Sequence, residues 1–316
     1  MQVLRFSNGE AMPALGLGTW KAPPGEVGQA VRAALELGYR HIDCAAVYGN
    51  EQEVGEALAQ AFAAGVVRRE DVWITSKLWN DAHAPEDVGP ALQRTLSDLG
   101  LTYLDLYLIH WPVASPPGVA LPRSGEDLLP LSERPLAATW AAMEDLQQAG
   151  LCRHLGVSNF SRLKLEALLL EARQPPEMNQ VERHPLLQQW DLVHFCHGNG
   201  IHVTGYSPLG ASSDDGRAQL LEEPSLVAIA SQRQVSVAQL LLAWGLACGT
   251  SVIPKSVRPE RLASNLAAAE LELDAATMAS IAELERGHRF VDGSFWTLPG
   301  SPYSLANLWD ESAADN

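Results

Sequence analysis

Cysteine is scarce in this chain: Cys44, Cys152, Cys196 and Cys248 are the only four in 316 residues, and their spacing fits neither a disulfide framework nor a zinc site. Each lies in or beside an apolar run and reads as a small buried hydrophobe. Positive charge is also short. Against 38 Asp and Glu stand 22 Lys and Arg, a formal charge of -16 that repels phosphate backbones and anionic membrane surfaces at long range. Binding to nucleic acid or to a membrane is therefore not expected, although a local basic pocket is still compatible with a small anionic cofactor. The most apolar later segment, residues 237–248, is interrupted by Gln239 and Gly245 and is too short to span a bilayer. The amino terminus has no apolar core of signal-peptide length, so a cytoplasmic location is expected. A glycine fingerprint for a dinucleotide is missing too: Gly16-Leu17-Gly18-Thr19-Trp20 lacks the third glycine and does not open a helix at once. A doubly wound dehydrogenase is disfavoured on that ground.

Present instead is an alternation of short aliphatic or β-branched runs with longer amphipathic stretches, the pattern of βα units. Strand-like runs fall at 14–17, 41–43, 72–76, 106–110, 154–157, 178–181, 202–206 and 251–254. Apolar residues at helical spacing occupy 25–37, 52–64, 85–99, 136–149, 161–172, 190–199, 225–234, 236–248 and 261–269. Eight strands separated by helices predict a single α/β domain over residues 1–316, a closed (β/α)8 TIM barrel preceded by a β-hairpin that turns at Asn8-Gly9. Three irregular segments, 112–135, 207–224 and 287–316, break the rhythm. On such a barrel the first two overhang the catalytic face. The last carries Trp296, Tyr303 and Trp309, too much apolar bulk for a dangling tail, and is expected to dock as a loop closing the active site. Arg289, Trp296, Leu298 and Tyr303 are its candidate contacts.

Chemistry enters at the strand ends. The run to Asp43 ends in a carboxylate with Tyr48 five residues on, the run to Lys77 ends in an amine, and the run to His110 in an imidazole. In one parallel barrel these groups share the carboxyl-terminal face, where such barrels place their catalysts. A carbonyl accepting hydride develops alkoxide character, so its site must supply a proton and polarise the oxygen in a geometry held beforehand. Tyr48 is the candidate general acid. Lys77 beside the phenol is expected to lower its pKa, Asp43 to pin the ammonium, and His110 to donate to the substrate oxygen or orient it. Singly, each has a bland reading as a turn residue, a rim aromatic, a solvated charge or a satisfied polar group; the joint placement favours catalysis. Trp20, Trp79 and Trp111, together with Tyr48 and His110, are expected to bind a substrate with an aromatic or aliphatic body. Further along, Lys255, Ser256 and Arg261, with Arg258 between them, gather cations and a hydroxyl around a turn and helix start, which suits a phosphomonoester.

These residues resemble the aldo-keto reductases, and in particular their aldose-reductase-like branch. The stretch 38–55 is similar to the family's first signature, with Asp43, Tyr48 and Glu51 in place. Arg153-His154-Leu155-Gly156-Val157-Ser158-Asn159-Phe160 is similar to the second, and the run 253–265, beginning Ile253-Pro254-Lys255-Ser256, to the third. Ala14-Leu15-Gly16-Leu17-Gly18-Thr19-Trp20-Lys21 and Lys77-Leu78-Trp79-Asn80 match the branch as well. The resemblance implies reversible, NADPH-dependent reduction of aldehydes and ketones to alcohols by the same four residues, and a monomer. It implies that NADP+ or NADPH has its 2'-phosphate on Lys255, Ser256 and Arg261, its adenine on Asn265, its carboxamide on Ser158, Asn159 and Gln180, and its nicotinamide ring against Tyr206. Thr19, Trp20, Lys21, Asp43, Ser207, Leu209, Pro254 and Val257 are implied along its length, and Lys21 with Asp214 or Asp215 is implied to close over the pyrophosphate. Ser264 departs from the glutamate often found before that asparagine. Two readings of other classes are a non-catalytic NADP-binding module and a barrel lyase or aldolase using Lys77 as a Schiff base.

Overall fold

The computed structural model describes residues 2–210 and 219–310. The chain opens with β1 (Val3–Arg5) and β2 (Ala11–Pro13), an antiparallel hairpin that pairs Arg5 with Ala11. Phe6 and Met12 of this hairpin bury against Trp73, Leu106, Leu108 and Met178, so it covers the amino-terminal ends of the strands that follow.

Those strands are β3 (Leu17–Gly18), β4 (His41–Asp43), β5 (Trp73–Leu78), β6 (Leu104–Ile109), β7 (Cys152–Ser158), β8 (Met178–Glu182), β9 (His202–Tyr206) and β10 (Ser251–Val252). All eight are parallel and each pairs with the next in chain order. The ends meet as well. Leu15 bridges Val252 and Gly18 bridges Lys255, with Gly16 N donating to Val252 O at 2.9 Å and Gly18 N to Pro254 O at 3.1 Å, which closes the barrel. A Cβ on Gly18 would stand 2.8 Å from Ile253 O, so the seam needs glycine there. The first and last strands are shorter than the 14–17 and 251–254 expected, since closure rests on isolated bridges and Pro254 has no N–H to extend a ladder.

Around the barrel lie α1 (Val27–Leu37), α2 (Glu51–Ala63), α3 (Pro85–Leu99), α4 (Leu136–Gln148), α5 (Arg162–Glu171), α6 (Trp190–Gly198), α7 (Pro224–Gln232), α8 (Val237–Ala247), α9 (Pro259–Ala267), α10 (Ala275–Ala282) and α11 (Leu305–Trp309). Most start and stop within two residues of the apolar periodicity that foretold them. Neither α10 nor α11 has such a pattern: α10 buries only Ile281, and α11 is five residues long. Among the described residues no single helix is long and apolar enough to cross a membrane. Residues 287–310 pack onto the barrel, burying Trp296, Tyr303, Leu308 and Trp309 with Trp79, Trp111, Val113 and Leu128.

Candidate active site

Asp43 ends β4, Lys77 is the penultimate residue of β5, and His110 follows β6 directly. Tyr48 completes a single 3-10 turn, Ala46–Tyr48, just beyond β4. The Lys77 side chain is 0% exposed; its ammonium donates to Asp43 Oδ1 at 2.5 Å and to Cys44 O at 2.8 Å. The other Asp43 oxygen, Oδ2, accepts from Gln180 Nε2 at 2.8 Å. A buried ion pair hydrogen-bonded from both sides in this way offsets its desolvation. Lys77 Nζ lies 5.3 Å from the centroid of the Tyr48 ring, whose centroid is 5.8 Å from that of His110.

The Tyr48 phenol is shifted upward on balance, not downward as the nearness of Lys77 alone leads one to expect. Burial, and after it the Asp43 carboxylate, holds the phenol well above its ordinary range. The Lys77 ammonium, 5.3 Å from the ring, is paired with Asp43, so its pull toward the phenolate is outweighed. His110 is pushed the opposite way. Burial, assisted by Lys77, keeps its imidazole well below the usual value and hence neutral, and its Nδ1 has no hydrogen-bond partner among the described residues. Behind the group, Glu51 is buried at the start of α2 and accepts from Ser76 Oγ at 2.5 Å and Thr95 Oγ1 at 3.0 Å. Burial lifts its carboxyl to about 7 in spite of those two hydroxyls.

The opposite wall comes from the next three strands. Ser158 ends β7 and donates to Gln180 O at 2.7 Å. Asn159, at φ 62, donates to His110 O at 2.9 Å and accepts from Tyr206 Oη at 2.7 Å, so the two walls are bonded to each other. A cleft of about 1000 Å³ runs between them. Thr19, Trp20, Lys21, Asp43, Tyr48, Trp79, His110, Trp111, Ser158, Asn159, Gln180, Tyr206, Ser207, Leu209, Pro254 and Lys255 all line it. Trp20 is 41% exposed at its edge with Lys21 Nζ over its ring at 4.3 Å, whereas Trp79 and Trp111 are buried.

Some expected residues lie outside the cleft lining. Ser256 is buried just past Lys255 with its Oγ accepting from Arg258 N at 3.1 Å; Val257 is half-buried; Asn265 is buried within α9; Arg258 and Arg261 are exposed where that helix starts. Asp214 and Asp215 lie outside the described residues. Of the tail candidates, Trp296 packs against Trp79 and Trp111 at 5.7 and 5.8 Å between ring centroids. Tyr303 Oη accepts from Ala114 N at 2.9 Å and donates to Leu129 O at 2.6 Å. Arg289 sits over the Trp309 ring at 4.3 Å, and Leu298 is half-buried. These residues anchor the tail. The ones that reach the cleft are Phe290, Val291, Asp292, Ser294 and Phe295, joined by Val47 and Leu121. The aromatic bulk of the tail foretold docking, but only its path selects which side chains face inward.

A model of the Aldo/keto reductase family matches residues 14–286. The chain belongs to the aldo/keto reductase family. It is 56% identical to an aldo/keto reductase of Synechocystis, over 98% of this chain and 97% of that one. Against aldo-keto reductase family 1 member A1-A of Danio rerio the identity is 45%, over 91% of each chain. The structure of the aldose reductase from Schistosoma japonicum is similar with a TM-score of 0.87 at 38% identity, covering 96% of this chain and 100% of that one. As an aldo/keto reductase the protein is an oxidoreductase, of a family that generally uses nicotinamide cofactors.

Proposed function

We propose that this aldo/keto reductase reduces aldehydes and ketones to alcohols with NADPH. The observation that carries the reading is that Tyr48 and His110 face one cleft at the carboxyl ends of the strands, their rings 5.8 Å apart, above the buried Lys77–Asp43 pair. The cofactor suits the residues present: the cleft reaches from Tyr48 to Lys255, and in a chain of formal charge -16 that end gathers Lys255, Arg258 and Arg261 beside the Ser256 hydroxyl. Lys255, Ser256 and Arg261 would hold the extra phosphate, with Val257 and Asn265 toward the adenine. Thr19, Trp20, Lys21, Ser207, Leu209 and Pro254 would follow its length, and Ser158, Asn159, Gln180 and Tyr206 would hold the nicotinamide. NADPH, when bound, supplies the hydride.

The remaining chemistry belongs to side chains. Tyr48, kept protonated by its surroundings, gives its proton to the carbonyl oxygen as charge develops there. The Lys77 ammonium, 5.3 Å from the ring, then stabilises the phenolate left behind, and Asp43 keeps that ammonium in place. His110, being neutral, can offer an N–H to the same oxygen. Trp79 and Trp111 exclude water from the reacting centre. A Schiff base on Lys77 is opposed by the same geometry, because an imine needs a free amine and this nitrogen is buried, ion-paired and bonded to Cys44 O. Four free cysteines, three of them buried, suit a reducing compartment, and we place the protein in the cytoplasm on that basis.

NADPH oxidation measured against a panel of aldehydes and ketones, with NADH in parallel, tests the activity and the cofactor preference together. In Tyr48→Phe, turnover should drop by about 10²- to 10⁴-fold while NADPH still quenches tryptophan fluorescence. Turnover that survives the substitution would remove Tyr48 as the acid. Arg261→Ala should weaken NADPH and leave NADH unchanged.

A further inference from the structure

The segment 287–310 supplies one wall of the cleft; besides the bonds of Tyr303 to Ala114 and Leu129 and of Pro299 O to Gly125 N, it is fastened near each end by groups outside the reaction. At its start the buried Glu182, last residue of β8, accepts from Phe290 N and Val291 N, each at 2.8 Å. At its end stands Lys164, in the first turn of α5. Its ammonium donates to Asn307 O at 2.7 Å, to Leu308 O at 3.0 Å and to Asp310 Oδ2 at 2.6 Å. Ser161, the residue that caps α5, donates its hydroxyl to the same Asp310 oxygen. Lys164 thus satisfies two carbonyls left without helical partners at the end of α11, where a cation is favoured.

What this fastening reaches is specific. Between Leu308 and Asp310, both held by Lys164, lies Trp309. Its indole N–H donates to Asp292 O at 2.6 Å and its ring packs on Trp111 at 5.9 Å. Asp292, Ser294 and Phe295 line the cleft. One end of the wall is therefore clamped to β8 deep in the protein, whereas the other depends on an ion pair whose side chains are 12% and 23% exposed. The base of that ion pair, Ser161, is two residues from Asn159, so the wall is mounted on the chain segment that bonds His110 and Tyr206.

We infer that Lys164, with Ser161 and Asp310, is a positioning residue for substrate. It holds α11 so that Trp309 fixes the 292–295 wall, and thereby sets how well aldehydes long enough to touch that wall are bound. It has no part in hydride or proton transfer. Substrates too small to reach Phe295 are insensitive to it. The inference rests on the proposed carbonyl reduction for its substrate class, and on the hydrogen bonds alone for the fastening.

The test compares Lys164→Met, which keeps the aliphatic stem, with Lys164→Arg and Asp310→Asn. Steady-state kinetics with NADPH are run on a three-carbon aldehyde and on an aldehyde carrying two aromatic rings. In Lys164→Met and Asp310→Asn the KM for the aromatic aldehyde should rise about five- to tenfold, with kcat and NADPH affinity unchanged and the small aldehyde unaffected. Lys164→Arg should recover most of that loss. Equal changes for both aldehydes, or no change for either, would overturn the inference. Amide hydrogen exchange over residues 290–310 is read on the same proteins. It should speed up in Lys164→Met, and unchanged exchange overturns the fastening even if the enzyme turns over none of the aldehydes offered.

Discussion

Two buried carboxylates lie close to Lys77, and the protein treats them differently. Asp43 meets an ammonium and an amide; Glu51 meets only the hydroxyls of Ser76 and Thr95. Burial outweighs those two hydrogen bonds and the more distant charge of Lys77, and raises the Glu51 carboxyl from 4.5 to about 7. The folded value lies above the unfolded one, so the native state binds this proton more tightly. Stability from that proton is full below about pH 4.5, is lost as pH rises toward 7, and changes no further above it. Glu51→Gln removes the slope. Relative to the parent protein, its unfolding free energy in urea should improve by an amount on the order of 2 kcal/mol between about pH 5 and pH 8. A constant difference across that range would show that Glu51 does not titrate there. Asp43, Tyr48, Lys77 and His110 were legible because each stands at or just past a recognisable strand end. The direction of the Tyr48 shift was not, since it follows from burial and from which partner claims Lys77.

At the level of elements, the helices pack by close approach in places where one methyl group decides the fit. Gly55, in α2, faces the end of α3: a Cβ there would lie 2.4 Å from Asp98 O and 2.6 Å from Leu99 C. Both contacts are backbone, so neither can swing aside, and α2 must shift. Gly55→Ala should destabilise the protein by about 1–3 kcal/mol despite the better helix propensity of alanine, seen as a lower urea midpoint at unchanged slope. An unchanged or higher midpoint would show that the helices can separate at no cost. The long helices were readable because their apolar faces repeat over three turns or more. The seam between β3 and β10 was not, being made by a few bridges around Gly16, Gly18 and Pro254. The helices α10 and α11 escaped for a different reason: α10 buries only Ile281 and so presents no apolar face, and α11 is five residues long.

For the whole molecule, the cleft receives its outer wall from the chain's own residues 290–295, so a partner subunit is not needed to complete it. We propose that the protein acts as a monomer; sedimentation at working concentration should give the chain mass of 34.2 kDa. A stable species of twice that mass would contradict this. What the sequence by itself determined is whatever depends on order and period. The alternation of eight strands with helices and the four chemical groups at or just past strand ends are local properties of the chain, and they survive into the fold. Tertiary structure decided what depends on burial and on the path of irregular segments. It made Trp79 and Trp111 buried parts of the cleft wall while Trp20 stays open, brought Phe290 and Phe295 to the cleft, and set the direction of the Tyr48 shift. Those outcomes arise from contacts between residues far apart in the chain, where neither spacing nor composition carries information.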